Sequence, residues 1–459
     1  MMSVVRSTLH TAFEQRRLIS FTHPIPPIDP LEFLRRAPEQ RIYWHAANDS
    51  RTYAGFGAAA EIVAYGHDRF RSIQAQADAL FEGAQLESDA PRLFGGFSFH
   101  ADNDGYRSAS GIWSAFPSAY FVLPRCQLVR QGEQAWLTIN HYALLDDLDL
   151  EYEALQHEFD QILAWLSAHT PADAAPHVTA LRYPLPRDAW RDQVTTATCE
   201  MRAGDYDKVV LSRTCDVSFD QPVDPVLALA NLERRYPNAH RFLIEVLPGH
   251  AFFGATPELL AAVEDGALRT AALAGSRRRG ATHAEDDALA AELMATPKER
   301  HEHAVVVDAL REMLAPMARS LDIPDTPTLY RLSNIQHLYT PVRAQLDAGY
   351  HALDVVERLH PTPALGGYPR AEAIDAIKRL ETVERGWYAS PVGWIDPNGD
   401  GTFAVAIRSA VSAGDSARLY AGAGIVADSD PDREWEETGL KFKPLLEALG
   451  VNPHERTQP

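Results

Sequence analysis

A chain of 459 residues, 46% hydrophobic and 23% charged, has the composition of a globular protein long enough to bury an extensive core. Its formal net charge of −20 argues against a nucleic-acid partner and would repel an anionic substrate at long range, so a site for such a substrate must supply local positive charge or a metal. The three cysteines, Cys126, Cys199 and Cys215, are scattered without a CxxC pair, the first residues lack the apolar segment of a signal peptide, and no apolar run is long enough to span a membrane, all of which points to a reduced, cytoplasmic protein.

In chain order, residues 1–166 read as mixed strands and helices. Residues 92–100, RLFGGFSFH, form a short strand whose glycine pair allows close backbone approach. Residues 119–128 and 135–143 alternate as antiparallel strands, and 152–169 has helical periodicity. The Ala- and Pro-rich stretch SAHTPADAAPHVTALRYPLP is the linker candidate. Residues 188–203 read as a helix ending before Gly204, 208–219 as a strand, and 226–235 as a helix. Three strands follow at 241–246, 251–255 and 259–263, with Asp265 and Gly266 as a hairpin turn. Residues 283–294 are helical, and Thr296 with Pro297 then caps and starts a fresh helix over 298–317. Residues 403–413 and 417–425 form another strand pair, and Asp430 with Pro431 opens a last helix through 449. Hairpin groups of strands with helices between them indicate α+β organisation (α/β in the broad sense) rather than the regular alternation of a Rossmann or TIM fold.

Polar motifs stand out against this background from KVVLSR at 208–213 onward: GATPELL at 254–260, LAGSRRRG at 273–280, KERHEH at 298–303, LHPTPALGG at 359–367, AIRSA at 406–410 and EWEETGLK at 434–441. Glu299 and Glu302 lie three apart on one helix face, and Glu434 and Glu437 repeat the arrangement. Either pair alone is the ordinary pattern of a solvated face. Two pairs, each near a capped helix start, suit magnesium, which takes one or two protein carboxylates and keeps several waters. His301 and His303 flank Glu302, but HEH is not HExxH and neighbours on a helix diverge by about 100°, so capping or packing is the better reading for both.

Lys208 sits in an otherwise apolar strand, either at a sheet edge or buried for a reason; a buried lysine can serve as a general base. Glu258, in the TPE turn, is either a solvated turn carboxylate or an acid facing a closed site, where burial would keep it protonated. Gly275, Gly422 and Gly424 read either as turn geometry or as backbone N–H groups brought close to an anion. Arg408, in an apolar strand, is costly to bury without a partner and suits bidentate carboxylate binding.

The seven motifs, in this order over residues 188–449, resemble those of the chorismate-utilising enzymes, the isochorismate, salicylate, anthranilate and aminodeoxychorismate synthases. The resemblance implies one large α+β domain of stacked antiparallel sheets covered by helices. Residues 1–185 would complete the sheets, 186–450 would form the chorismate-binding region and 451–459 a tail, with the Ala/Pro stretch an internal connection. It further implies that Lys208 activates water and selects it over ammonia, and that Glu258 protonates a departing hydroxyl. Mg²⁺ would be held by Glu302 with Glu299 and by Glu437 with Glu434. Gly275, Ser276, His337, Thr362, Tyr388, Arg408, Gly422, Gly424 and Lys441 would line the substrate site. Ser276 stands where threonine is common, and Ser390 where glycine is common.

LHPTPALGG, ERGWYASPVGW and the N-terminal LFGGFSFH with WSAFPSAYFVLPR resemble the isochorismate synthases of the menaquinone pathway. The expected reaction is Mg²⁺-dependent isomerisation of chorismate to isochorismate. Salicylate synthase and siderophore-pathway isochorismate synthase are the rivals, and the intact Lys208, Glu258 and carboxylate pairs speak against a non-catalytic binding protein. No glutamine amidotransferase subunit and no membrane is expected as partner, and the chain acts as a monomer or homodimer.

Overall fold

The computed structural model describes residues 16–38, 40–47, 49–86, 91–101, 111–144, 148–167, 175–331 and 335–451. The N-terminal fifteen residues, 168–174 of the linker candidate and the tail from 452 lie outside these.

The named strands pair antiparallel throughout and divide into two sheets that share the strand Ala119–Gln131. In the first sheet this strand lies beside Arg51–Ala64, and the order continues through Ile42–His45, His240–Leu247, His250–Thr256, Ser409–Ala413 and Ser416–Val426 to Lys208–Phe219. In the second, Leu93–Phe97 joins Ala119–Gln131 and leads through Pro391–Ile395, Gly401–Val405, Leu259–Glu264 and Ala267–Arg278 to Ile335–Leu346. Two glycines make the Leu93–Phe97 strand possible, since a Cβ on Gly95 would lie 1.9 Å from the Tyr120 carbonyl oxygen.

Most expected elements form within a residue or two. The 188–203 helix is Arg187–Ala203, closed by Gly204 at φ 90°. Asp224 and Asp430 each accept two backbone N–H groups at the starts of Pro225–Arg235 and Pro431–Ala448, with proline in the first turn. Thr296 precedes Pro297–Leu314, but its hydroxyl donates back to the Glu292 carbonyl at 2.6 Å and so closes His283–Ala295 instead of capping the new helix.

Two expectations need correction. The linker candidate contains a strand, Val178–Arg182, paired to the far end of Lys208–Phe219. The single strand over 403–413 is two strands, Gly401–Val405 in the second sheet and Ser409–Ala413 in the first, because the chain crosses between the sheets at 406–408. Arg408 takes φ 51° there, a left-handed conformation strained for a non-glycine residue. Thr256 to Leu259 makes the same crossing in the opposite direction.

Candidate active site

The two crossovers lie side by side. The Arg408 carbonyl accepts from Ala255 at 3.1 Å and the Glu258 carbonyl accepts from Val405 at 3.0 Å. A turn between strands of different sheets cannot complete a ladder, so its backbone must find partners elsewhere; here each turn supplies the other's. This lock brings Glu258 and Arg408 into one neighbourhood. Burial pushes the Glu258 carboxyl up to about 7, against the opposing fields of Arg408, Lys208 and Lys441. Burial also draws Arg408 down, and among the described residues its guanidinium makes no hydrogen bond or ion pair. A fixed guanidinium without a partner is a receptor for a ligand carboxylate.

Lys208 is the first residue of Lys208–Phe219, flanked by Tyr368 on one side and Val426 on the other, so it is not at a sheet edge. Its side chain is 12% exposed, and Nζ donates to Glu302 Oε1 at 2.7 Å. Gly424 makes room for the lysine stem, since a Cβ there would sit 3.0 Å from Cε. Gly422 does the same for the Tyr388 hydroxyl, at 2.9 Å. Both glycines lie inside the strand Ser416–Val426, neither in a turn nor at positive φ, so their part is steric. Gly275 differs: φ is 73° at a bulge, and a Cβ would meet Glu299 at 3.2 Å.

The two carboxylate pairs approach from the helices Pro297–Leu314 and Pro431–Ala448. Glu299 accepts from Arg277 at 3.0 Å and from the Ser276 N–H at 3.3 Å. Glu437 accepts from Lys441 at 2.6 Å, and Lys441 also donates to the Gly422 carbonyl at 2.7 Å. Burial alone would raise Glu437, but Lys441, Arg408 and His337 bring it below the usual carboxylate range. Burial and then Glu437 raise Glu434, which accepts from the Ser429 hydroxyl at 2.9 Å. Lys298, at the start of the first helix, acts electrostatically on Glu434 in the second, which places the two helix starts near each other.

His337 Nδ1 lies 2.7 Å from Ser276 Oγ, and burial, reinforced by Arg408 and Lys441, lowers the imidazole to about 4, leaving it neutral near pH 7. Burial raises Tyr388 to about 12, so its hydroxyl stays protonated. Thr362 Oγ1 is buried without a hydrogen-bond partner in the same hollow as Glu258. An orphaned hydroxyl facing a hollow fits a polar ligand. Ser390 Oγ is likewise buried and unpartnered. His301 is exposed, and His303 is buried with Nε2 2.7 Å from Thr340 Oγ1, a packing role as expected.

A hollow of about 590 Å³ also borders the Glu258 turn, and its lining includes neither Lys208, Arg408 nor Lys441. The chemistry-bearing groups locate the site better than volume does. Glu258 lines both this hollow and the smaller one with Thr362, which is why it keeps some exposure although protein surrounds its carboxyl.

The donor set suits magnesium. Its four carboxylates offer only oxygen, and the burial and Glu437 repulsion that lift Glu434 are what a cation beside it offsets. Glu434 and Glu437 therefore fit. Glu302 fits once it leaves Lys208. Glu299, held by Arg277 and a backbone N–H, fits the role of supporting its neighbours rather than ligating. Among the described residues no three His, Cys, Asp or Glu side chains are gathered into a metal-holding group.

Sequence reasoning missed the cations that hold the site together. Arg277 pairs with Glu299 from within LAGSRRRG. Arg385, 1% exposed, binds Glu381 and the carbonyls of Val210 and Leu365, tying the Lys208 strand to the Thr362 loop. Arg213, in KVVLSR, is 4% exposed. A charge inside a strand is the signal that Arg213 and Arg277 offered; Arg385, in the loop before Pro391–Ile395, offered none.

A family model described as "Chorismate binding enzyme" matches residues 5–450. The chain is 35% identical to "Isochorismate synthase MenF" of Bacillus subtilis, over 97% of each chain. It is also 35% identical to the "Salicylate biosynthesis isochorismate synthase" of Pseudomonas aeruginosa, over 96% of this chain and 92% of the relative. In structure it resembles MenF, the menaquinone-specific isochorismate synthase of Escherichia coli, with a TM-score of 0.79, 27% identity and coverage of 98% and 99% of the two chains. Its likeness to anthranilate synthase component I of Streptococcus pneumoniae, TM-score 0.71 over 87% of this chain and 93% of that one at 23% identity, bears on the fold alone.

Proposed function

The chain belongs to the chorismate-binding enzymes, and from that premise we propose that it is an isochorismate synthase, of the menaquinone type that its full-length relatives of that name represent. The observation that carries the chemistry is the meeting of a lysine, a carboxyl held near pH 7 and an unpaired arginine between the two sheets. Salt bridges alone would not leave a carboxyl protonated beside three cations.

In the proposed reaction water adds at carbon 2 of the chorismate ring while hydroxide leaves carbon 4, and the ring double bonds shift between them. Lys208 accepts a proton from the attacking water, and Glu258 donates one to the departing oxygen, which leaves as water. One water enters and one leaves, so the change is an isomerisation. For Lys208 to act as base, Glu302 has to release the Nζ that it holds at 2.7 Å. Arg408 anchors a substrate carboxylate, Thr362 and Tyr388 offer hydroxyls, and neutral His337 with Ser276 fixes one wall.

Magnesium, held by Glu302 and Glu437 with Glu434 and supported by Glu299, would supply positive charge to the substrate's ring carboxylate. We further infer a cytoplasmic enzyme that needs no amidotransferase subunit, a reading supported by its three unpaired cysteines and by Lys208 in the water-selecting position. No helix among the described residues is long and apolar enough to cross a membrane.

The test is to supply chorismate and Mg²⁺ and follow products by mass and absorbance. The expected result is a chorismate–isochorismate mixture approached from either side, without pyruvate. EDTA should abolish the reaction, and Mg²⁺ should restore it better than Zn²⁺. Stoichiometric pyruvate and fluorescent salicylate above the spontaneous rate would move the chain to the salicylate synthases.

A further inference from the structure

Arg213 is a buried cation for which the proposed mechanism has no use. Its side chain is 4% exposed, in the same strand as Lys208, and among the described residues no carboxylate pairs with it. Leaving a guanidinium buried without a counter-ion is strongly destabilising unless other groups replace its hydration. Here the replacements come from the helix Pro431–Ala448. Nε donates to Thr438 Oγ1 at 2.7 Å, and Nη2 donates to the Trp435 carbonyl at 3.0 Å. The guanidinium lies 3.7 Å from the centre of the Trp435 ring and 5.1 Å from that of Phe442. Thr438 Oγ1 in turn lies 3.0 Å from the Glu434 carbonyl. Burial lowers Arg213 to about 10, which leaves it charged at neutral pH.

Helical geometry gives this grip a consequence. At about 100° per residue, Glu434, Glu437 and Lys441 share one face, and Trp435, Thr438 and Phe442 share another roughly 100° away. Arg213 therefore holds the helix by the face next to the one that carries the carboxylates. A contact at that angle resists rotation about the helix axis, which burial of an apolar stripe resists only weakly. A turn of ~20° would carry a carboxylate ~5–6 Å from the axis sideways by about 2 Å, too far for oxygen ligation with near-ideal octahedral geometry.

We infer that Arg213 is a positioning residue for the Glu434–Glu437 carboxylate pair, fixing the rotation of their helix through Trp435 and Thr438. Its consequence for metal binding rests on the reading of that pair as magnesium ligands. Lysine cannot reproduce the grip, because an ammonium lacks the planar fork that reaches a hydroxyl and a carbonyl while stacking on an indole.

The test uses the full chain with Arg213→Lys and Arg213→Met; the lysine variant keeps the charge should the methionine variant fail to fold. Mn²⁺ is titrated as probe and read by loss of the free-ion paramagnetic signal, beside hydrogen exchange over residues 434–441 and a thermal melt. The expected result is Mn²⁺ affinity lower by ~10–100-fold, the scale for groups supporting metal ligands. Exchange over 434–441 should quicken, and kcat at saturating Mg²⁺ should fall less than the affinity does. A merely structural arginine would lower the melting temperature and leave Mn²⁺ affinity unchanged, and that result overturns the inference, as does unchanged exchange over 434–441. If the wild-type chain binds no Mn²⁺, the metal reading fails by itself, and the exchange measurement still decides whether Arg213 fixes the helix.

Discussion

The helices Pro297–Leu314 and Pro431–Ala448 begin alike in sequence, with a cap-type residue, a proline and two glutamates three apart, yet their carboxylates end in different electrostatic states. On the first, a strand-borne cation neutralises each glutamate, Arg277 for Glu299 and Lys208 for Glu302. On the second, Glu437 takes Lys441 from its own helix, while Glu434, beside its repelling neighbour, accepts a serine hydroxyl and feels Lys441 and Lys298 without forming an ion pair among the described residues. Spacing decides which face a carboxylate occupies; the elements packed against that face decide its charge balance. The first helix thus couples to Lys208, and the second holds two carboxylates whose mutual repulsion a cation would relieve.

The strongest way to break this contrast is to remove the cation that separates the two pairs. Lys208→Ala should lower turnover by about 10²–10⁴-fold, the scale of a positioned general base, with chorismate affinity by calorimetry little changed. Near-normal turnover would leave Lys208 as no more than a partner for Glu302.

A carboxyl in neither pair sharpens the contrast from outside. Glu258 is raised from 4.5 to about 7 by burial. Between those values the folded protein holds a proton that the unfolded chain has released, so this group's stabilisation is complete below about pH 4.5 and is lost as pH rises through about 7. The loss is on the order of 3 kcal/mol at most. Glu258→Gln should flatten the decline in denaturant-measured stability over that window, and wild-type activity should fall as pH climbs past the upper value. An unchanged slope in the variant would place the carboxyl in ordinary solvent.

The pairs can then be compared directly in EDTA. Glu302→Gln strips Lys208 of its counter-ion and should cost ~1–3 kcal/mol. Glu434→Gln removes repulsion and should be neutral or slightly stabilising, within ~0.5 kcal/mol. Equal losses in urea melts would erase the distinction. The smallest effect is expected from Gly424→Ala, whose Cβ would press on the Lys208 stem at 3.0 Å. Turnover should drop by less than the ~10²-fold of a 1 Å misplacement, with the fold intact by circular dichroism; full activity would show that the stem has room to spare.

Local signals in the sequence were sufficient for many elements, but not for the strands Ala267–Arg278 and Ile335–Leu346, which carry Ser276 and His337. The Lys208–Phe219 strand, the Gly204 stop and the Asp430–Pro431 start follow from periodicity, positive φ at glycine and capping, each decided within a few residues. The sequence also marked Lys208 and Arg408 as charges in apolar surroundings and Glu258 as a carboxyl in a turn, and those three residues do meet. It misplaced the break at 406–408, because AVAIRSAV alternates like one strand and nothing local says that the chain changes sheets there. It could not show that Gly422 and Gly424 serve by lacking a Cβ, since the groups they admit, Tyr388 and Lys208, are distant in sequence.

The sequence by itself determined many of the elements, the faces on which the glutamates lie and the family to which the chain belongs. Only the tertiary structure decided that two crossovers lock Glu258 beside Arg408, that Lys208 holds Glu302, and that Arg213 grips the helix of Glu434 and Glu437. The physical reason is range: torsional preference and side-chain period act over a few residues, whereas desolvation and charge pairing depend on what the packed chain brings together from far apart.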